Sequence, residues 1–225
     1  MIILIYPKYV GGKFIANCLA LSRHCVIQNR QLAEMDMKLN HTNEKYYQFK
    51  LNAVMQSLPK KDDMQNWSEY EFGCNDLYGV DKNFYENNSI KTLRSEIEKL
   101  TVFDLLKGKR ESCLIAHDYR TLMKYLLLHR TAKIIEFCNF DQFRAQSMRL
   151  KGSVKPETYE FTRHHHYQDQ EFYQLDSFMI DVDNTFRDFV TFSAMMEKLY
   201  RYMGFDDYRP EILYPFYSSY IKLHQ

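Results

Sequence analysis

Hydrophobic positions along this chain fall into short runs separated by longer stretches of mixed period. The first run, Ile2 to Tyr6, is apolar at every position, the pattern of a strand buried on both faces. Lys13 to Ser22 follows with helical spacing and places Phe14, Cys18 and Leu21 on one side. Cys25 to Ile27 is a candidate second short strand. From about Gln31 to Lys109 the pattern loosens and turns polar. Within it LNAVMQSL (51–58) and IKTLRSEIEKL (90–100) are predicted helices, and the stretch between them, with Trp67, Gly73 and Gly79, is predicted loop.

Periodicity sharpens after Glu111. Ser112 to His117 is a predicted strand ending on a polar residue, and Tyr119 to His129 a helix. Ala132 to Cys138 is a strand, Phe140 to Leu150 a helix, and Ser177 to Val182 a strand. Thr185 to Met203 is a long amphipathic helix closed by Gly204. The Tyr-rich tail, Tyr208 to Gln225, has room for a final short helix. Strands alternating with helices predict an α/β fold, a mostly parallel sheet flanked by helices on both faces. The expectation is a single domain over 1–225 with a helical and loop insertion at about 31–109. Ligands in such sheets gather at the carboxyl ends of the strands. Four groups fall there: the 7–13 loop, His117-Asp118, Cys138-Asn139 and Asp181-Asp183.

Composition narrows the picture. The chain has 225 residues, 45% hydrophobic and 26% charged, enough for a sizeable core; 7 Gly and 5 Pro are too few for a sandwich of many tight turns. A formal net charge of +1 announces neither nucleic acid nor a membrane surface. The five cysteines, Cys18, Cys25, Cys74, Cys113 and Cys138, form no CxxC pair. Their odd number points to a reduced setting and a cytoplasmic location. No apolar run approaches the roughly 18 residues of a membrane span.

The turn after the first strand carries the clearest candidate chemistry. A helix start leaves backbone N–H groups unpaired and bears a partial positive charge. Glycine lets an anion approach them closely, and Lys8 or Lys13 would neutralise it. A tight βα turn also needs glycine for geometry alone, so PKYVGGKF admits both readings. It departs from the phosphate loop GxxxxGK[ST]: Pro7 stands five positions before Gly12, and Phe14 replaces the hydroxyl residue that would bind magnesium.

These residues resemble the sulfotransferase family. Its first loop reads roughly PKSGTTW after the first strand, and Pro7-Lys8 with Gly11-Gly12-Lys13-Phe14 is similar, with one extra residue and without the two threonines. The family's next block ends a strand on a histidine that acts as general base, matched by His117 in CLIAHD; a histidine hydrogen-bonded to backbone at a strand end is the other reading of that residue. A following strand ends in RNPxDxxxS, whose Arg and Ser hold a 3′-phosphate. Here Ser147 matches, Asn139 stands where the Arg is expected, and Arg144, Arg149 and Lys151 are nearby substitutes. FMIDVDNTFRDFVTFSAMMEKLYRYMGF is similar to the family's last strand and helix. The resemblance covers the start and residues 110–205. It implies a P-loop-type α/β fold and 3′-phosphoadenosine 5′-phosphosulfate as cofactor. The implied site has Lys8 and His117 as catalytic residues, and Lys8, Gly11, Gly12, Lys13, Phe14, Asn139, Arg144 and Ser147 around the cofactor. It implies a small-molecule or glycan acceptor held by 31–109, with no nucleic acid, no membrane span and no metal.

Other features read more plainly. Arg163-His164-His165-His166 lacks a Cys or acidic partner at zinc spacing and reads as a solvated loop, or, with Lys155, as a basic flap over an anion. Asp181 and Asp183 alternate along a strand and share a face; a metal with phosphates is one reading, capping of the following helix the favoured one. The cysteines read as small buried hydrophobes, with Cys138 at a strand end the one to check for thiol reactivity. Two alternative functions stay open: a P-loop kinase-like phosphotransferase using ATP and magnesium, and a non-catalytic interaction protein that keeps the fold.

Overall fold

Four all-parallel strands organise the protein: β1 (Ile2–Ile5), β2 (Cys113–Ala116), β3 (Lys133–Cys138) and β4 (Ser177–Asp181), in the spatial order β2-β1-β3-β4. The computed structural model describes residues 1–7, 9–25, 43–56, 58, 111, 113–128, 130–151 and 156–223. Lys8, Val26-Ile27, Cys74 and the segment 59–110, with the predicted helix 90–100 and the loops around Trp67, Gly73 and Gly79, lie outside the described residues. In register, Leu4 faces Ile115 on one side and Ile135 on the other. β1 is completely buried, which explains its unbroken apolar run.

The connections determine which face each helix takes. From β1 the chain moves to β2; from β2 it passes back across β1 to β3. Right-handed crossovers in opposite directions place their helices on opposite faces. α1 (Gly12–Ala20) and α2 (Glu44–Met55) therefore share one face with α7 (Phe189–Met203) and α8 (Pro210–Lys222), in the core cluster that takes Ile2, Leu4 and Tyr6. α3 (Tyr119–Leu128) and the end of α5 (Pro156–Tyr173) cover the other face, where Ile3 and Ile5 meet Tyr119, Leu122 and Tyr173. α4 (Asp141–Lys151) follows β3, and α6 (Val182–Thr185) follows β4. No described helix is long and apolar enough to cross a membrane.

Most predicted elements appear within a residue or two of their expected ends. Of the strand expected at Cys25 to Ile27, Cys25 forms a parallel bridge to Glu111 and the other two residues lie outside the described residues. Three elements differ from expectation. The helix expected at 51–58 begins at Glu44, because the Asn43 side chain accepts the Tyr46 N–H at 3.0 Å and caps it; α2 packs Tyr46, Tyr47, Leu51 and Val54 into the main core. The helix expected from Thr185 is interrupted. The Asp188 carboxylate accepts from the Thr191 N–H at 2.8 Å and starts α7 afresh, and Gly204 closes it at φ 74°. The stretch with the three histidines is the 18-residue helix α5 and not a loop: His164 and His165 are exposed, while His166 is buried.

A clasp of polar groups ties the end of α1 to the segment between α7 and α8. Asp207 accepts from Ser22 Oγ at 2.7 Å, Arg23 N–H at 2.6 Å and Tyr47 OH at 3.2 Å. Lys50, fully buried on α2, donates to the carbonyls of Ser22 and Cys25, the latter at 2.7 Å. A cation there suits the negative end of α1.

Candidate functional site

Beyond the carboxyl ends of β1 and β2 the chain leaves toward opposite faces of the sheet, to α1 on one and α3 on the other. Tyr6 sits at that point. It follows β1 directly, and its N–H still bonds Ala116 O at 3.1 Å. Beyond it Tyr9, at φ 73°, and Gly11, at φ 78°, take left-handed conformations that turn the chain into α1. Gly11 is the residue before the helix. Gly11 offers no side chain to cap the first turn of α1, and no acidic residue lies in that turn.

Both glycines have packing reasons as well. A Cβ on Gly12 would lie 2.1 Å from the Tyr6 ring, so that ring packs directly on the helix backbone. A Cβ on Gly11 would meet Phe186 at 3.1 Å and the Tyr220 hydroxyl at 3.3 Å. Phe14 stacks on Tyr220 at 3.9 Å and on Phe216 at 4.7 Å, so its side chain belongs to the core and only its backbone N–H remains to serve a ligand. Lys13 is half-buried with its ammonium nitrogen buried. Lys8 lies outside the described residues.

His117 meets this turn through Tyr6. Its Nδ1 is 3.1 Å from the Tyr6 carbonyl oxygen and its ring stands edge-on to the Tyr6 ring at 5.1 Å. A carbonyl only accepts, so Nδ1 carries the hydrogen in the neutral ring and Nε2 bears the lone pair. The fold thus brings His117 and the Gly11–Lys13 turn to one place, with Tyr6 touching both.

The β3–β4 half of the same edge is acidic. Asn139, at φ 46°, donates from Nδ2 to Asp181 Oδ2 at 3.0 Å, and its carbonyl accepts the Asp183 N–H at 2.8 Å. Asp181 caps α6 by accepting the Asn184 N–H at 3.1 Å. Asp183 reaches sideways: its two oxygens accept the N–H groups of Gln142 at 3.1 Å and Phe143 at 2.8 Å and cap α4. Capping was the expected role, but Asp183 caps the helix after the neighbouring strand and not its own. The strand also ends at Asp181, so the two carboxylates do not alternate along it. Arg144 and Ser147, expected beside a 3′-phosphate, are 3% and 5% exposed. Arg144 lies over the Phe140 ring, 5.8 Å from its centre.

Below α4 runs a buried polar layer that sequence reasoning passed over. Glu136 on β3 accepts from Tyr119 OH at 2.6 Å and Gln170 Nε2 at 3.1 Å. His166 Nε2 lies 3.2 Å from the Phe137 carbonyl. Burial, then Glu136, pushes the Tyr119 hydroxyl well above the usual tyrosine range. Burial holds His166 below the usual histidine range, Arg144 pushing the same way against the Phe137 carbonyl, Glu136 and Asp169. The available signal was the spacing His166, Gln170, Tyr173, a polar stripe at helical period. The Cys138 thiol, its hydrogen aimed at Ile180 O at 3.6 Å, is pushed up to about 11 by burial and by Asp181 and Glu136, so it stays protonated and unreactive near neutral pH.

Away from the edge, His24, Asp206 and Asp207 place three ligand-type atoms within 4.8 Å. Asp206 is already held by His24 at 2.7 Å and by Arg23, which pull its carboxyl down to about 2, and Asp207 has the three donors of the clasp. Compared with protein-family models, curated proteins and solved structures, the chain matches none.

Proposed function

We propose that this chain is a nucleotide-binding enzyme of sulfotransferase type, with a P-loop-like sheet, that holds the 5′-phosphosulfate of its donor on the Gly11–Lys13 turn. The observation that carries the proposal is the meeting of His117 with that turn around Tyr6, at the carboxyl edge where β1 and β2 part. The all-parallel order with β1 inside the sheet, and the parallel bridge of Cys25 to Glu111 just ahead of β2, support the fold assignment.

In this reading an acceptor hydroxyl of a small molecule or glycan gives its proton to His117 Nε2 as its oxygen attacks the sulfur. The bond from sulfur to the bridging oxygen breaks, and the nucleotide phosphate departs with the electron pair. The α1 amides and the ammonium groups of Lys8 and Lys13 would stabilise the charge on that leaving group, where most of the rate enhancement arises. A ligand that binds only the folded state at a hundred times its Kd adds about 2.7 kcal/mol of stability. Adenosine 5′-phosphosulfate is therefore expected to raise the melting temperature by several degrees, and the double variant Lys8→Ala/Lys13→Ala to lose that rise. Folded protein that melts at the same temperature with and without nucleotide refutes the proposal.

One observation favours a second reading. Tyr6 fills the space at Gly12, so packing alone explains that glycine, as it would in an interaction protein that kept the fold without the chemistry. Phe14 speaks against the kinase-like alternative: a magnesium-binding hydroxyl belongs at that position, and here the side chain stacks in the core.

A further inference from the structure

Two helices of eight or more residues begin at the carboxyl edge directly after β1 and β3, and they are provided for differently. The N-cap of α1 is Gly11, which has no side chain to bond the first turn, and no acidic residue lies in that turn. The first turn of α4 has Asp141 within it and the Asp183 carboxylate bonded to two of its N–H groups, at 2.8 and 3.1 Å. Asp183 is itself anchored, its own N–H donating to Asn139 O at 2.8 Å. Asn139 turns its side-chain donor to Asp181 at 3.0 Å and not outward. The cationic Arg144 and the hydroxyl of Ser147 on the same helix are buried. The α4 amides of Gln142 and Phe143 and the Asn139 side chain on this half of the edge are thus already engaged, while the buried Ser147 hydroxyl has no hydrogen-bond partner among the described residues. Three carboxylates, those of Asp141, Asp181 and Asp183, repel an anion.

We infer that the site holds one phosphate group and not two: Asp183 closes the start of α4 to anions, and the nucleotide this chain takes carries no 3′-phosphate. This rests on the nucleotide site proposed above and narrows its donor to a 5′-phosphosulfate nucleotide with a plain ribose. Asp183 is a specificity residue in this account, since it acts by occupying the place that a second phosphate would need.

The test is the affinity of the full chain for adenosine 5′-monophosphate and adenosine 3′,5′-bisphosphate, measured by calorimetry at one fixed salt concentration, in the wild type and in Asp183→Asn. The asparagine keeps an acceptor for one α4 amide while removing the charge. In the wild type the two nucleotides are expected to bind within threefold of each other. In the variant the bisphosphate gains threefold or more over the monophosphate, whose own affinity stays put. A wild type that binds the bisphosphate more than threefold tighter overturns the inference while leaving the nucleotide site standing. A variant that moves both nucleotides in step overturns it as well. If neither nucleotide binds folded wild-type protein, the site itself falls and the inference with it. The wild-type comparison decides the matter even where the variant does not fold.

Discussion

Replacing Gly12 with alanine asks whether the Tyr6 ring or a ligand makes glycine necessary there. The added Cβ would sit 2.1 Å from one ring carbon of Tyr6 and 2.2 and 2.3 Å from two others, against an ordinary contact of 3.4 Å or more. The ring must therefore retreat by about 1.3 Å. It has little room to do so, with the His117 ring 5.1 Å away on one side and the Phe137 ring 5.1 Å away on another. Overpacking a tight site costs about 1–3 kcal/mol, and a backbone-against-ring overlap of this depth belongs at the upper end. Alanine returns up to about 1 kcal/mol through its better helix propensity. The net expected loss is about 2 kcal/mol, roughly 4–8 °C in melting temperature for a chain of this size.

The discriminating measurement is a double-mutant cycle with Tyr6→Ala, followed by urea denaturation. Removing the ring alone costs about 3–5 kcal/mol. Once it is gone, Gly12→Ala has nothing to strike, and its effect should reverse to a gain of up to about 1 kcal/mol. The coupling between the two positions is then about 2–3 kcal/mol, well above the few tenths expected of independent sites. A Gly12→Ala cost that is the same in both backgrounds, or below about 0.5 kcal/mol in the wild type, refutes this account of the turn.

Four further outcomes are expected. His117→Gln should leave nucleotide affinity within threefold and lower turnover by roughly 10²–10⁴, read as a split between Kd and kcat; an unchanged kcat removes His117 from the mechanism. Lys50→Met takes the ammonium donor from the Cys25 carbonyl and from the Ser22 carbonyl, which keeps the Cys25 N–H at 3.2 Å, and should cost about 1–3 kcal/mol by denaturant titration. Asp207→Asn turns an acceptor of three bonds partly into a donor facing donors, and should cost about 2–3 kcal/mol in the same assay. Burial first of all lowers the His166 pKa in the folded state, so the unfolded chain takes up the proton first as the solution is acidified. The stability tied to His166 is complete above about pH 6.5 and declines below it, toward the lowered native value; His166→Gln should flatten that decline between pH 7 and 5.

What the sequence made legible follows from period. β1, β3 and α1 bury apolar residues at regular spacing, and their limits were readable within a residue or two. α5 was not, because the residues it turns inward include His166, and Gln170 reaches Glu136 from the same helix, so no apolar stripe marks the helix. The break before α7 depends on Asp188 capping Thr191, a local bond inside an otherwise continuous amphipathic pattern. For the site, the strand-end positions of His117, Asn139 and Asp181 followed from the fold class. The partners did not. That Asp183 would cap α4, on the far side of β3, depends on β3 and β4 being neighbours in register, Cys138 opposite Asp181. No single stretch of chain encodes that.

The same adjacency bears on how the glycines are weighed. Packing and anion binding look like rival explanations of Gly11-Gly12, yet both can hold at the same residues. Gly12 lets the Tyr6 ring press against the start of α1, and the Tyr6 carbonyl then sets the tautomer and orientation of His117. A need for glycine on packing grounds is therefore neutral between an enzyme and an inert relative of one. The start of α4 draws a carboxylate from the end of another strand, while α1 starts on Gly11, itself a favoured N-cap residue. The difference leaves room for an oxyanion at residues 11–14, and the nucleotide titration decides whether one binds there.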